Sequence, residues 1–183
     1  YNYFLVRGYA VVTSSGLGSK GSDGINTTGS DLEVAAYKNI VEWLNGKRKA
    51  YSDKTSNHEV KADWSNGNVA MTGLSWAGTT TFGVASTGVE GLKTIVPAAG
   101  IASWYDHFNS QGSPLDTGAS NDLSWLSVYT SGRILDKEDW DKVKDYYAAY
   151  ITKLNELQHK DGHNYNEEYA KRDYTLNAAN LKA

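Results

Sequence analysis
Apolar positions along the chain form short β-rich runs in the first half and one long helical stripe in the second. Tyr9 to Thr13 (Tyr-Ala-Val-Val-Thr), with Gly8 before it and a Ser/Gly cluster after it, predicts a buried strand that the amphipathic Tyr3, Phe4 and Leu5 lead into. A polar loop follows to about residue 29. Ser30-Asp31-Leu32-Glu33 has the spacing of a capping box, in which the serine accepts from the amide three positions on and the glutamate reaches back to the serine amide. Leu32, Ala36, Ile40, Val41 and Leu44 continue at helical spacing, and Asn45-Gly46 supplies the stop.

Residues 47 to 67 are polar and charged and read as an exposed excursion that closes on Asn66-Gly67. Val69-Ala70-Met71 predicts a second strand, Thr79 to Thr87 a short helix, and Leu92 to Pro97 a third strand. Strands alternating with helical segments long enough to cross over predict an α/β fold with a parallel sheet. From Trp104 to Gly132 the pattern is aromatic and irregular. Trp140, Val143, Tyr147, Ile151 and Leu154 then mark a long amphipathic helix over roughly 136 to 158, which reads as a helical insertion or cap laid over the sheet.

Four features are candidates for chemistry. Gly16-Leu17-Gly18-Ser19-Lys20-Gly21 has the letters of a dinucleotide fingerprint, but the next helix starts about nine residues too late for its amides to face a pyrophosphate, so a glycine-rich loop is the better reading. His159 and His163 flank Asp161 and Gly162 beyond a helix end, where exposed imidazoles near the negative end of a dipole are expected rather than a metal site. An excess of aromatic side chains, 6 Trp and 13 Tyr, suits either core packing or a glycan- or base-stacking platform, which makes a non-catalytic binding module an alternative of another class.

The fourth feature is Gly73-Leu74-Ser75-Trp76-Ala77-Gly78. A serine held on a tight strand-to-helix corner needs small neighbours on both sides, because the turn brings residues before and after it together. The helix that follows would point its dipole and the Trp76 amide at a developing oxyanion. The usual pattern is G-x-S-x-G and Ala77 fills its last place. By spacing alone, the stretch is either a nucleophile corner or a Gly/Ser loop.

Composition narrows the partners. A net charge of −3 with a sequence pI near 5.8 supplies no broad basic field, so nucleic acid is not an expected partner. No apolar run reaches the roughly 18 to 20 residues of a membrane span. Zero cysteines exclude a disulfide scaffold and thiol chemistry, and a cytoplasmic setting fits. The chain starts at Tyr1 inside an apparent amphipathic segment and reads as cut from something longer.

Taken together, "GLSWAGTTTFGVASTGVEGLKTIVPAAGIASWYD" resembles the segment around the active serine of bacterial Xaa-Pro dipeptidyl-peptidases, and "YFLVRGYAVV", "GLGSKGSDG", "IVEWLNG", "HEVKADWSNGNVAMTG" and "HNYNEEYAKRDY" are similar to successive stations of that family in the same order. The G-x-S-x-x-G form with an aromatic residue after the serine is that family's way of writing the corner. The resemblance covers nearly the whole chain. It implies a partial α/β-hydrolase fold, with residues 1–106 forming part of the core around the nucleophile elbow and 107–183 a helical insertion and lead-in to the next sheet strand.

It also implies a serine peptidase that releases N-terminal Xaa-Pro dipeptides without a cofactor, and a possible homodimer of the full-length enzyme. Ser75 would be the nucleophile, Trp76 an oxyanion donor through its amide, and Trp104 a wall of the proline pocket. The family's Gly-Glu-Asp-Leu stretch, whose glutamate holds the substrate ammonium, reads here Ser120-Asn121-Asp122-Leu123. Asn121 stands at the acid's place. Either Asp122 substitutes for it or the activity shifts towards the related esterases and acylases. The triad acid and histidine would follow Ala183, a tyrosine of the oxyanion hole would precede Tyr1, and His107 and His163 are not candidates for the base. Residues 1–183 alone should therefore be inactive, with open sheet edges.

Overall fold
The computed structural model describes residues 2–115, 122–131 and 137–182. In chain order its elements are α1 (Asn2–Leu5), α2 (Asp31–Leu44), β1 (Ala50–Tyr51), β2 (Glu59–Val60), β3 (Val69–Leu74), α3 (Trp76–Ser86), β4 (Leu92–Ala98), α4 (Trp104–Phe108), β5 (Asn109–Ser110), β6 (Ser113–Pro114), α5 (Ser124–Ser131), α6 (Lys137–Gln158), α7 (Glu167–Ala170) and a 3-10 helix, Tyr174–Asn180.

The β3–α3–β4 unit is the centre of the fold. β3 and β4 pair in parallel, with Met71 opposite Ile95 and Leu74 opposite Ala98, as a crossover through a helix requires. Val69 and Met71 of β3 and Ile95 of β4 turn inward onto a core of Val41, Val84, Ala85, Val89 and Leu92, contributed by α2, α3, the connection after α3 and β4. The alternate positions Ala70, Thr72, Leu74 and Val96 are exposed, so among the described residues helices cover one face of the strand pair. The expected α/β arrangement is present in this form.

α3 starts at Trp76, three residues earlier than its sequence predicts, because the β3 corner hands the chain directly into it. Its hydroxyls do not disrupt it. Thr80, Thr81 and Ser86 bond back to the carbonyls of Ala77, Gly78 and Gly83, three positions upstream in each case, so a nearly buried helix carries no orphaned hydroxyl at these positions.

A second core gathers Trp104, Phe108, Leu123, Leu154 and Tyr169, with Trp76, Ile101 and Tyr150 packed against it. This core joins α4, α6 and α7 to the serine end of α3. In α6 the predicted stripe holds: Leu154 is buried, while Trp140, Val143, Tyr147 and Ile151 are half-buried.

Three expectations are corrected. Residues 9–13 form no strand: Tyr9, Ala10, Val12 and Thr13 are exposed, and no described segment pairs with them, so the apolar run has no ladder to enter. Leu32 does not join the buried face of α2; it is 61% exposed on the first turn. The capping box does not form either. Ser30 sits at the N-cap without a side-chain cap bond, its hydroxyl donating instead to Thr27 Oγ1 at 2.7 Å. The Glu33 carboxylate bypasses the Ser30 amide for those of Thr27 and Gly29, at 3.3 and 3.0 Å. The polar excursion at 47–67 contains the short antiparallel pair of β1 and β2.

Candidate active site
Ser75 stands between β3 and α3 with φ 59° and ψ −121°. This conformation is strained for a residue with a Cβ, by about 1–3 kcal/mol, and persists only where the surroundings impose it. They do so through very close packing. A Cβ on Gly73 would lie 2.5 Å from the carbonyl carbon of Ala77, and one on Gly78 would lie 2.7 Å from the Ala98 carbonyl oxygen. Glycine at both positions lets the strand, the corner and the helix converge.

Hydrogen bonds fix the corner to β4. The Ser75 amide donates to Ala98 O at 2.8 Å, and Thr79 N donates to Ser75 O at 2.9 Å. The wholly buried Thr79 hydroxyl donates to Ser75 O at 3.2 Å and accepts from Ile101 N at 2.9 Å. One side chain thus joins the corner to the loop that follows β4.

Ser75 is exposed, and among the described residues its hydroxyl has no hydrogen-bond partner. The Trp76 amide is the first of α3. It belongs to the set of N-terminal donors that have no intrahelical acceptor, on the positive end of an 11-residue helix dipole. An exposed hydroxyl can attack a carbonyl once a base takes its proton, and an unused amide beside it can hold the charge that develops on the carbonyl oxygen.

The other expected residues are placed as follows. Trp104 is buried, 2% exposed, and its ring lies 5.9 Å from that of the half-buried Trp76, tilted by 54°. It also touches His107 and Phe108. His107 is exposed and packs on this aromatic group, where desolvation holds its pKa below the ordinary value. Asp122 is half-buried, with Oδ1 2.8 Å from Nε2 of His159. The next residue, Leu123, donates its amide to Gln158 Oε1 at 2.7 Å, so the end of α6 holds this segment. Asn121 lies outside the described residues. His159 and His163 stand ring to ring at 5.9 Å, and His159 is engaged by Asp122.

Sequence reasoning missed the polar group behind the tryptophans. Arg172, 1% exposed, donates to Thr28 O at 2.8 Å, Thr27 O at 3.0 Å and the Glu168 carboxylate at 2.9 Å. In "YAKRDY" it reads as one charge of a solvated run. A cavity of about 600 Å³ is lined by Val34, Gly83, Thr87, Lys171 and Asn177 among others. It lies towards the C-terminal end of α3, while Ser75 precedes its first residue, so the two are separated by most of an 11-residue helix, roughly 15 Å.

A strand that ends on a positive-φ serine and passes straight into a helix is the corner by which α/β proteins present a nucleophilic hydroxyl. β3, Ser75 and α3 form a corner of this shape. The whole chain, residues 1–183, matches the family described as X-Pro dipeptidyl-peptidase (S15 family), and the chain belongs to that family. Among similar proteins, the Xaa-Pro dipeptidyl-peptidase of Pediococcus pentosaceus is 40% identical over 184 residues, covering 100% of this chain and 23% of the relative. That of Streptococcus pneumoniae is 42% identical over 185 residues, covering 100% of this chain and 24% of the relative. The chain therefore spans about a quarter of the length of the curated relatives it matches. Among the described residues, no helix is long and apolar enough to cross a membrane.

Proposed function
We propose that this chain carries the nucleophile of a serine peptidase that releases N-terminal Xaa-Pro dipeptides in the cytoplasm. The observation that carries this reading is the exposed Ser75 hydroxyl on its strained corner at the head of α3; the family supplies the substrate class. Ser75 Oγ attacks the carbonyl carbon of the substrate proline and gives its proton to a histidine base. The resulting oxyanion is met by the Trp76 amide and the α3 dipole. Collapse expels the amine of the shortened peptide, which takes the proton from the base. Water then cleaves the acyl-serine ester, freeing the dipeptide and restoring the hydroxyl.

The base and its orienting carboxylate come from outside residues 1–183, in keeping with a Ser75 hydroxyl that has no partner among the described residues. The half-buried Trp76, backed by the buried Trp104 whose ring is tilted 54° to it, forms the wall for the pyrrolidine ring. Asp122, one oxygen of which is held by His159, offers the other to the substrate ammonium. Residues 107–183 cap the core formed by residues 1–106.

The test is covalent labelling. In the intact protein a fluorophosphonate should attach to Ser75, and Ser75→Ala should abolish both the label and dipeptide release from an Xaa-Pro chromogenic substrate. Residues 1–183 alone should release none. Label on another residue, with release undiminished in the alanine variant, refutes the proposal.

A further inference from the structure
The segment Asn26-Thr27-Thr28-Gly29 is buried throughout, with Thr28 and Gly29 both left-handed at φ 52° and 73°. Buried backbone must satisfy its donors and acceptors, and this segment does so with side chains. The amides of Thr27 and Gly29 donate to the Glu33 carboxylate and that of Thr28 to Asn26 Oδ1. The Asn26 carbonyl accepts from the Ser127 hydroxyl. Thr27 O accepts from Arg172 and from Tyr150 Oη, Thr28 O from Arg172, and Gly29 O from Tyr174 Oη at 2.8 Å.

Gly29 is the point of this loop that meets the tryptophans. A Cβ there would lie 2.4 Å from Tyr174 Oη, 3.1 Å from Trp104 Nε1 and 3.5 Å from the Trp76 ring. The loop is a rigid surface behind both rings, held from its amide side by Glu33 and from its carbonyl side by Arg172 and Tyr174. Nothing else in the mechanism uses these three groups, and a buried carboxylate and guanidinium are costly to keep unless their bonds do something.

We propose that Glu33, Arg172 and Tyr174 are positioning residues that set the Trp76–Trp104 wall through the Asn26–Gly29 loop, and so determine how strictly the enzyme prefers proline to smaller residues at the second substrate position. They touch neither the substrate nor Ser75; their effect passes through Gly29. This rests on the reading of the tryptophan pair as the pocket wall.

The experiment uses the intact enzyme with Glu33→Gln, which keeps an oxygen for the Thr27 and Gly29 amides but puts a donor in place of the oxygen that accepts from Asn26 Nδ2 at 3.1 Å, and with Tyr174→Phe, which removes the bond to Gly29 O; it compares kcat and KM on matched Xaa-Pro and Xaa-Ala substrates with the rate of fluorophosphonate labelling at Ser75. Loss of one hydrogen bond to the loop should lower the proline-to-alanine ratio of kcat/KM about fivefold, chiefly by raising KM for proline, with labelling within twofold of wild type. Gly29→Ala should lower the ratio further, and combining it with Tyr174→Phe, which removes the atom that the new Cβ meets first, should restore part of it. Labelled variants that keep the wild-type ratio overturn the inference, as does a ratio that falls only in step with labelling. A wild-type enzyme that shows no proline preference, or no label at Ser75, overturns the underlying reading instead.

Discussion
Replacing Thr79 by valine removes one hydroxyl from the interior and leaves the side-chain shape almost unchanged. That hydroxyl is wholly buried and is the acceptor for Ile101 N, 2.9 Å away, while its own proton goes to Ser75 O. The Ser75 carbonyl keeps its bond from Thr79 N in the variant, so the loss falls on a single amide, that of Ile101. A buried donor left without an acceptor costs about 1–3 kcal/mol; Ile101 is half-buried, so about 2 kcal/mol is expected. Thr79→Ser keeps the hydroxyl and gives up one methyl, about 1 kcal/mol. Urea denaturation of the intact protein should rank wild type, serine and valine in that order. Fluorophosphonate labelling at Ser75 should stay near wild type in the serine variant and fall about tenfold in the valine variant, since the tether that holds the corner against the Ala99–Ile101 loop is gone. Equal stability and equal labelling in the two variants would refute the reasoning, because the methyl and not the hydroxyl would then be what matters.

Two further outcomes are expected. Desolvation pushes the Glu33 carboxyl from its ordinary 4.5 up to about 7, against the opposing pull of the Gly29 and Thr27 amides and of Arg172. The native state therefore holds this proton more tightly than the unfolded chain. The stabilisation is whole below pH 4.5 and is lost as pH rises to 7, on the order of 3 kcal/mol. The stability difference between wild type and Glu33→Gln, measured by urea denaturation, should shift by that amount across this window, and a difference independent of pH would count against it. Asp122→Asn should lower kcat/KM for a substrate with a free amino terminus relative to its N-acetylated form by about tenfold, the worth of a bond to a charged group; an unchanged ratio would remove Asp122 from ammonium binding.

What could be read from the chain without coordinates was whatever depends on neighbours in sequence. Strand, serine and helix follow one another within β3 and α3, and the small residues at 73 and 78 are the local requirement of that corner, so spacing could find them. The long stripe of α6 was equally visible, because each turn repeats the same apolar side. Non-local matters were hidden. The apolar run at 9–13 looks like a strand because propensity says nothing of whether a partner strand exists. Glu33 looks like a capping residue because three-residue spacing cannot tell an amide at Ser30 from amides at Thr27 and Gly29 brought round by two left-handed residues. Arg172 sits among Lys171 and Asp173 and carries no sign of burial. The family resemblance singled out Trp104 and Asp122 but gave no hint that Trp104 would be covered or that Asp122 would be engaged by His159.

The clasp around Asn26–Gly29 also sets an order of assembly. Ser127, Tyr150, Arg172 and Tyr174 reach it across 101, 123, 145 and 145 positions of chain, and contacts of such separation form late because the intervening chain must first be brought round. On the ribosome, synthesis at about 5–20 residues per second leaves several seconds between the emergence of the early loop and that of its last latch. Once β4 and Ile101 have emerged, the serine corner can already stand while the ground beneath its tryptophans is still unset. The bend that carries the serine would thus be shaped before the support of its tryptophans during biogenesis, and a nascent chain stalled between Ser127 and Tyr174 would be the place to observe the two apart.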